Sequence, residues 1–338
     1  MKSPAVLFTA KNKIEFGEVT IPDPGPGDVV VRTTHSWISN GTEGSFLRLE
    51  RFDGVTPWQP HMPLPYPMVP GYQKVGVVEE VGKDVTGFHE GQNVFVTITR
   101  AEGVHFNFAG HLLRGPAVAN EVIALPEGED PLPCSGLVLT QVGTNTGARP
   151  TVNTGCHALV VGDGMVGHWS AQTLQMRGAQ VALVGRHDFR LNLFAARQGD
   201  LTLNSHDPDW LEVARNWAGG EFDVVVDTVG NEANYDLNMR LVPMLKWGGH
   251  FVTAGHEGFK SWIDLRQFIY REATIHCPCG WTRPRLEWTL GLIHEKKITT
   301  RNLITHHFPA SQVEQAWHSI FTQKDSTLGV ILDWDSIS

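Results

Sequence analysis

The sequence predicts an α/β protein of two domains: a small β-barrel of short strands, and a doubly wound parallel sheet of the kind that binds dinucleotides. Three observations carry this. The chain has 338 residues, enough for two cores. Between His157 and Arg190 it runs apolar strand, glycine turn, helix and second apolar strand, the order of a βαβ unit. Ahead of that stretch, short alternating segments and Gly turns follow one another closely, as in a small barrel.

Composition sets the outer limits. Hydrophobic residues make up 41% and charged residues 19%, an ordinary balance for a chain with a packed core. The net charge of −9 argues against a nucleic-acid partner, because binding a phosphate backbone needs a basic face. No apolar run is long enough to span a membrane, and Met1-Lys2-Ser3-Pro4 lacks the apolar core of a signal peptide. Four cysteines do not make a disulfide scaffold. The expectation is a cytoplasmic chain without a membrane partner. Sixteen histidines make metal binding a question to be examined.

The elements follow in order. Ala5 to Val31 reads as short strands around the turn-rich hinge Pro22 to Asp28. Val29-Val30-Val31-Arg32 is a buried strand leading to a polar strand-to-helix junction, His35 to Glu43. Prolines and aromatics crowd from Pro57 to Pro70, so that stretch is a long loop. It is either functional or a surface excursion that packs Trp58, Tyr66 and Met68. Val69 to Gly82 and Gly87 to Val96 continue the barrel, Ala117 to Leu125 adds a strand, and Leu137 to Ala148 is helical. Lys74 reads as a surface strand residue. The second domain continues with a helix over His168 to Arg177, a strand over Val181 to Val184, and a helix over Phe189 to Arg197. Strands follow at Phe222 to Gly230, Gly248 to Gly255 and Ala273 to His276, with a helix over Asn234 to Leu245. Helices at Arg283 to His294 and Gln312 to Phe321 and a strand at Gly329 to Trp334 close the chain.

The glycine turn, Gly162-Asp163-Gly164-Met165-Val166-Gly167, is G-x-G-x-x-G. Its first glycine allows the tight turn, the second lets backbone approach a pyrophosphate, and the third lets helix pack on strand. Met165 and Val166 belong to the turn as further cofactor-binding candidates, and the helix that follows offers free N–H groups and a positive dipole end to phosphate. Ligands of open parallel sheets sit outside the carboxyl ends of the strands. That places Thr228, Val229, Ala254, Gly255 and His256 along the cofactor trough, with Thr146 a further candidate.

Several stretches together resemble the medium-chain dehydrogenase/reductase superfamily over nearly the whole chain. Gly71-Tyr72-Gln73-Lys74-Val75-Gly76-Val77-Val78-Glu79-Glu80-Val81-Gly82 looks like its "G-H-E-x-x-G-x-V-x-x-V-G". Gly87 to Val94, the glycine turn, and the tail Leu303 to Pro309 followed by Gln315-Ala316-Trp317 carry the rest. The resemblance implies a GroES-like barrel domain (residues 1–146 and 287–338) around a Rossmann domain (147–286). It also implies hydride transfer with a nicotinamide cofactor in a cleft between them, and a homodimer joined through sheet edges near His276 to Arg283. Within the superfamily, Ile38-Ser39-Asn40-Gly41-Thr42-Glu43 resembles the "I-S-x-G-T-E" of proteins similar to the bacteriochlorophyllide 3-hydroxyethyl dehydrogenase, a group often read as zinc-free.

The departures from the family pattern bear on metal. Where zinc-dependent members place ligands, this chain has Asn40, Tyr72 (beside Gln73), and Thr140 or Gln141. Zinc wants thiolate, imidazole or carboxylate. The four-cysteine lobe is absent, since residues 97–116 hold no Cys, and Cys277-Pro278-Cys279 is too tight for a C-x-x-C knuckle. The reading is a zinc-independent member with no metal, the residual metal candidates being His61, His105 and His111.

The second strand of the sheet ends Val184-Gly185-Arg186-His187-Asp188, without the acid that NAD-preferring sheets place there. Glycine leaves room for a 2′-phosphate and Arg186 offers a charge-assisted fork, with His187 and Arg190 assisting. NADP(H) is therefore favoured over NAD(H), the rival being Asp188, which could reach the ribose or cap the next helix. Without zinc, hydrogen-bond donors must hold the developing oxyanion. Tyr72 is the leading donor or proton relay; Asn40, Gln73 and Thr42 are further donors, and Glu43 fits a supporting role. Trp37, Trp58 and Tyr66 could shape a substrate wall or simply pack. The leading reading is an NADP(H)-dependent oxidoreductase of secondary alcohols and ketones. Reduction of an activated C=C bond and non-catalytic NADPH binding remain as alternatives.

Overall fold

The computed structural model describes residues 1–54, 56–105, 109–230, 235–255 and 263–337. They divide into two compact units, Met1–Val138 with Thr300–Ser338, and Leu139–Thr299. The first unit opens with β1 (Lys2–Ala10), β2 (Lys13–Thr20), β3 (Asp28–Trp37), the short helix α1 (Thr42–Leu47), β4 (Lys74–Val81), β5 (Asn93–Val96), β6 (Arg114–Val118), β7 (Val122–Ala124) and α2 (Pro131–Cys134). Helix α3 (Leu137–Ala148) leads into the second unit. There follow β8 (His157–Val161), α4 (Met165–Met176), β9 (Gln180–Gly185), α5 (Asp188–Leu191), β10 (Leu201–Asn204) and α6 (Trp210–Trp217). The unit is completed by β11 (Phe222–Asp227), α7 (Tyr235–Leu241), β12 (Leu245–Thr253), α8 (Leu265–Ile269), β13 (Thr274–His276) and α9 (Arg283–His294). The chain returns to the first unit as β14 (Ile304–Pro309), α10 (Val313–Thr322) and β15 (Gly329–Asp333).

The boundaries expected after residues 146 and 286 fall within α3 and α9. Both helices contribute to the second unit, where Thr144 Oγ1 meets Thr289 Oγ1 at 2.9 Å. A helix is a cooperative element, and a side-chain bond between two of them keeps both in one core.

The second unit is a six-stranded, all-parallel sheet in the order β10-β9-β8-β11-β12-β13. Consecutive residues feed opposite faces. Leu159, Val161, Ala182, Val184 and Val225 pack with Trp210, Leu211 and Phe268 on one side. Ala158, Val160, Val181, Leu183 and Val224 pack with Ala171, Leu174 and Leu191 on the other. Burial on both faces explains why these strands read as continuous apolar runs. The order reverses at β8, with β9 on one side and β11 on the other. The glycine turn leaves β8 at this switch point, the usual ligand position of such sheets.

The first unit is largely antiparallel. Its seven-stranded sheet runs β14-β15-β3-β4-β5-β7, with β6 also on β3, and β1-β2 form a separate hairpin. Strand β3 is shared by β15, β4 and β6. Helix α10 buries Val313, Ala316, Trp317 and Ile320, one helical face, against Phe8, Phe46 and Leu47. Phe8 meets Trp317 edge-on at 5.7 Å.

Several elements depart from the sequence reading. The strand expected over Ala117 to Leu125 is split into β6 and β7 by a tight turn at Ala119–Glu121. The helix expected over Phe189 to Arg197 ends at Leu191, because the chain turns there to bury Phe194 with Leu191. β10 and α6 went unanticipated; β10 has only four residues, too short a run to stand out. Lys74, expected at the surface, is fully buried. Helix α7 is described from Tyr235, and the expected Asn234 start and His256 lie outside the described residues.

Candidate functional site

The glycine turn shows three different reasons for glycine. Gly162 has φ of +118°, and a Cβ there would lie 2.3 Å from Thr228 Oγ1. At Gly167 a Cβ would lie 1.9 Å from the Gly162 carbonyl oxygen, so the third glycine is what lets α4 close on β8. At Gly164 a Cβ would meet nothing within 4 Å. The second glycine is thus not required by the protein's own packing, and the open space over its backbone fits the approach of a phosphate. Gly164 is also the N-cap of α4 and carries no side-chain cap, while Met165 and Val166 form its first turn. The helix therefore opens with backbone donors aimed outward.

The strand ends beside the turn are braced. Thr228 donates from both its backbone N–H and its hydroxyl to the Val161 carbonyl, each at 2.9 Å. Asp227, fully buried, accepts from Val229 N–H and from Asn238 Nδ2 at 2.9 and 2.7 Å. Its own carbonyl accepts from the Ala254 and Gly255 N–H groups, and a Cβ on Gly255 would strike the backbone of Gly230. Val229 remains exposed and Thr228 partly so. Thr146 is buried, and its hydroxyl proton is used within α3, donated to the Val142 carbonyl at 2.8 Å.

The end of β9 corrects the reason given for Gly185. A Cβ there would lie 2.4 Å from Asp163 Oδ2, so the space left by glycine is filled by the Asp163 carboxyl. Asp163 accepts from the Arg186 and His187 N–H groups at 2.7 and 2.8 Å and meets His187 Nδ1 at 2.9 Å. Its other oxygen lies 3.7 Å from Arg190 Nη1. Burial would raise this carboxyl, but the bonds and charge of His187 and the Arg186 N–H hold it below its ordinary pKa. His187 and Arg190 are thereby engaged with Asp163, whereas Arg186 is exposed at the strand end. Asp188 neither caps α5 through its side chain nor stands alone, since Asn204 Nδ2 donates to it at 2.6 Å. Asp163 was legible only as the variable residue of the motif.

The other candidates cluster at the β3–α1 junction and the start of β4. Tyr72 Oη donates to Ser39 Oγ at 2.6 Å, and Thr42 bonds to the same phenol. Burial pushes the Tyr72 pKa up to about 12 despite the Ser39 bond, so the phenol keeps its proton. Asn40 donates through Nδ2 to the Leu328 carbonyl at 2.9 Å, and its Oδ1 is buried without a partner among the described residues. Gln73 is fully buried and donates to the Trp37 carbonyl at 3.2 Å, which makes it a brace rather than a presented donor.

Glu43 lies inside the junction and is 2% exposed. It accepts from the Ser39 N–H at 2.8 Å and meets His111 Nε2 at 2.8 Å. His111 Nδ1 meets Ser36 Oγ at 2.8 Å, and Trp334 Nε1 donates to the same hydroxyl at 2.9 Å. This buried chain fixes Ser39, and Ser39 fixes the Tyr72 phenol. His111 is consumed by it, and His105 lies against the Phe52 carbonyl at 2.9 Å, while His61 is exposed. Trp37 is core, and Tyr66 donates to the Phe46 carbonyl at 2.8 Å. Lys74 spends its ammonium on Thr99 Oγ1 and the Ala109 carbonyl at 2.8 and 3.0 Å. Among the described residues, side chains converging closely enough for a metal are His35, Asp333 and Asp335.

Two family models match this chain: an alcohol dehydrogenase GroES-like domain over residues 25–129 and a zinc-binding dehydrogenase domain over residues 166–295. A 2-desacetyl-2-hydroxyethyl bacteriochlorophyllide A dehydrogenase of Cereibacter sphaeroides is 27% identical over 99% of both chains. An alcohol dehydrogenase of a Moraxella species is 28% identical over 87% of this chain and 89% of that one. Among solved structures, an Escherichia coli oxidoreductase/dehydrogenase of unknown specificity superposes with a TM-score of 0.84 at 18% identity. It covers 98% of this chain and 99% of that one. An E. coli alcohol dehydrogenase complexed with NADH gives 0.83 at 19% identity, over 98% and 99% of the two chains. No described helix is long and apolar enough to cross a membrane.

Proposed function

Since the chain is an oxidoreductase belonging to the medium-chain dehydrogenase/reductase superfamily, we propose that it interconverts a secondary alcohol and a ketone with a nicotinamide cofactor and without zinc. The observation that carries the reading is the Tyr72 phenol, held at 2.6 Å on Ser39 where zinc-dependent members place a ligand. The second unit fits the cofactor through the uncapped α4 and the clear space over Gly164. The cofactor, when bound, supplies or accepts the hydride. Tyr72, protonated up to about pH 12, turns its O–H from Ser39 to the ketone oxygen as negative charge develops there, while the Ser39 hydroxyl reverses to donate to the phenol oxygen. Transfer of that proton yields the alcohol, and the Ser39 and Thr42 hydroxyls offer the path by which Tyr72 is reprotonated. Asn40 and Glu43 keep the loop that carries Ser39 in place.

NADP(H) is the proposed cofactor, supported by Arg186, exposed at the end of β9 with no paired carboxylate among the described residues. Arg186→Ala should lower kcat/KM with NADPH about 10-fold relative to NADH; an unchanged ratio would remove Arg186 from recognition. The main test is turnover of a conjugated enone with NADPH. An allylic alcohol supports carbonyl reduction, a saturated ketone assigns the alkene instead, and binding without turnover points to a cofactor-binding protein. Tyr72→Phe should cut kcat by about 100-fold or more. Unchanged turnover would take the phenol out of the mechanism.

A further inference from the structure

Close to the Tyr72 phenol the first unit buries a cation that has no ion-pair partner among the described residues. Arg51 is only 7% exposed. Its Nη1 donates to the Gly54 carbonyl at 2.7 Å. Its Nε is buried and, like Nη2, has no acceptor among the described residues. The adjacent carboxylate, Glu50, is turned to Arg48, with Nε to Oε1 at 2.6 Å and Nη2 to Oε2 at 3.0 Å. Burial lowers the Arg51 pKa, and the charges that act against this are those of Tyr72 and Glu50. The influence is mutual, since Arg51 in turn favours the ionised Tyr72.

The backbone holds this side chain in place. Arg51 bridges to Pro57, Phe52 N–H donates to the Thr56 carbonyl at 2.8 Å, and Thr56 N–H donates to the Asp53 carbonyl at 3.1 Å. A guanidinium taken out of water and given one neutral carbonyl is costly unless an anion completes it. With Nη1 taken, the unused edge is Nε with Nη2. Those two parallel N–H groups match the two oxygens of one carboxylate.

We propose that Arg51 anchors a carboxylate of the substrate, so that the ketone or alcohol presented to Tyr72 belongs to a keto or hydroxy acid. This rests on the carbonyl-reduction reading and names its substrate class. In that arrangement the Nε–Nη2 edge fixes one end of the substrate, and the Tyr72 phenol receives the reacting oxygen. Arg51 is a binding and positioning residue that takes no part in proton transfer.

The test is a ladder of straight-chain keto acids, each assayed beside its methyl ester in wild type, Arg51→Met and Arg51→Lys. Wild type should prefer the acid of fitting length over its ester by about 100-fold in kcat/KM, chiefly through KM. In Arg51→Met that ratio should collapse toward one. Arg51→Lys, which keeps charge but loses the fork, should retain a reduced preference and guards against a folding defect in the Met variant. Calorimetric titration of the same acids and esters gives a readout that needs no turnover: acid binding weakened about 100-fold in Arg51→Met supports the anchor. Equal handling of acid and ester by wild type in both measurements would overturn it. If ketones of both kinds are reduced without acid preference, the anchor fails and carbonyl reduction stands. If acids bind through Arg51 and none is reduced, the anchor stands and the carbonyl reading fails.

Discussion

The glycine turn and the Tyr72 cluster solve opposite problems. At the turn the protein removes side chains. Gly162 and Gly167 are glycine because backbone and Thr228 occupy the places a Cβ would take, and Gly164 leaves open space over its backbone. At the Tyr72 cluster the protein adds side chains. Ser39, Glu43, His111, Ser36 and Trp334 form one buried chain of polar contacts whose end is the phenol. The first site is specified by local backbone geometry, the second by partners far apart in sequence, such as Glu43 and His111, separated by 68 residues. The first should therefore fail by steric collision and the second by loss of polar partners.

The sharpest way to break the contrast is within the turn itself. Gly167→Ala places a methyl 1.9 Å from a backbone oxygen that cannot turn aside. It should cost about 3 kcal/mol or more of stability, read as a lowered midpoint in urea. Gly164→Ala has open space and should leave the midpoint within about 1 kcal/mol of wild type, while weakening cofactor binding measured by nicotinamide fluorescence. Equal destabilisation by both would mean that the two glycines do the same job.

Glu43→Ala tests the other side. It strands the Ser39 N–H and His111 Nε2 in a buried setting. The expected loss is about 2–3 kcal/mol, again by urea unfolding, accompanied by a fall in kcat as Ser39 loses its hold on Tyr72. A loss below about 1 kcal/mol would show that the contact holds nothing.

The same contrast explains what was legible beforehand. The strand–glycine–helix–strand order states its own geometry, because the positive φ of Gly162 and the approach of Gly167 to the Gly162 carbonyl are both set within a few residues. The parallel strands were legible because both faces are buried, which leaves continuous apolar runs such as Val224-Val225-Val226. Gly185 marks the limit. The sequence shows that a side chain is missing there, but not that Asp163 has entered the gap, since that depends on which way the turn aims its variable residue. Glu43 was legible as a support, yet its partner His111 was weighed only as a metal candidate. Gln73 and Thr146 carry the right atoms for a site, and the fold spends those atoms internally. A donor's chemistry is written in its residue type; its availability is decided by long-range packing.

Lys74 shows its effect only as a dependence on pH, and it tests whether a buried polar group outside both sites follows the same logic. Its neighbours Tyr72 and Gln73 mark the strand start, yet it is fully buried on Thr99 Oγ1 and the Ala109 carbonyl. Burial lowers its pKa to about 7. The folded chain therefore releases this proton near pH 7, while the unfolded chain keeps it until about pH 10. Between those limits the unfolded state binds more protons, so this residue makes stability rise with pH, by up to about 1.4 kcal/mol per pH unit; below pH 7 its contribution is flat. Lys74→Met should remove that slope, so the difference in unfolding free energy between wild type and variant should grow from neutral to alkaline pH. Parallel curves would mean that the amine stays charged in the fold, held by its oxygen partners strongly enough to offset burial. Lys74 would then be a cationic clasp on the segment around Ala109 rather than a group whose hold strengthens as it loses its proton.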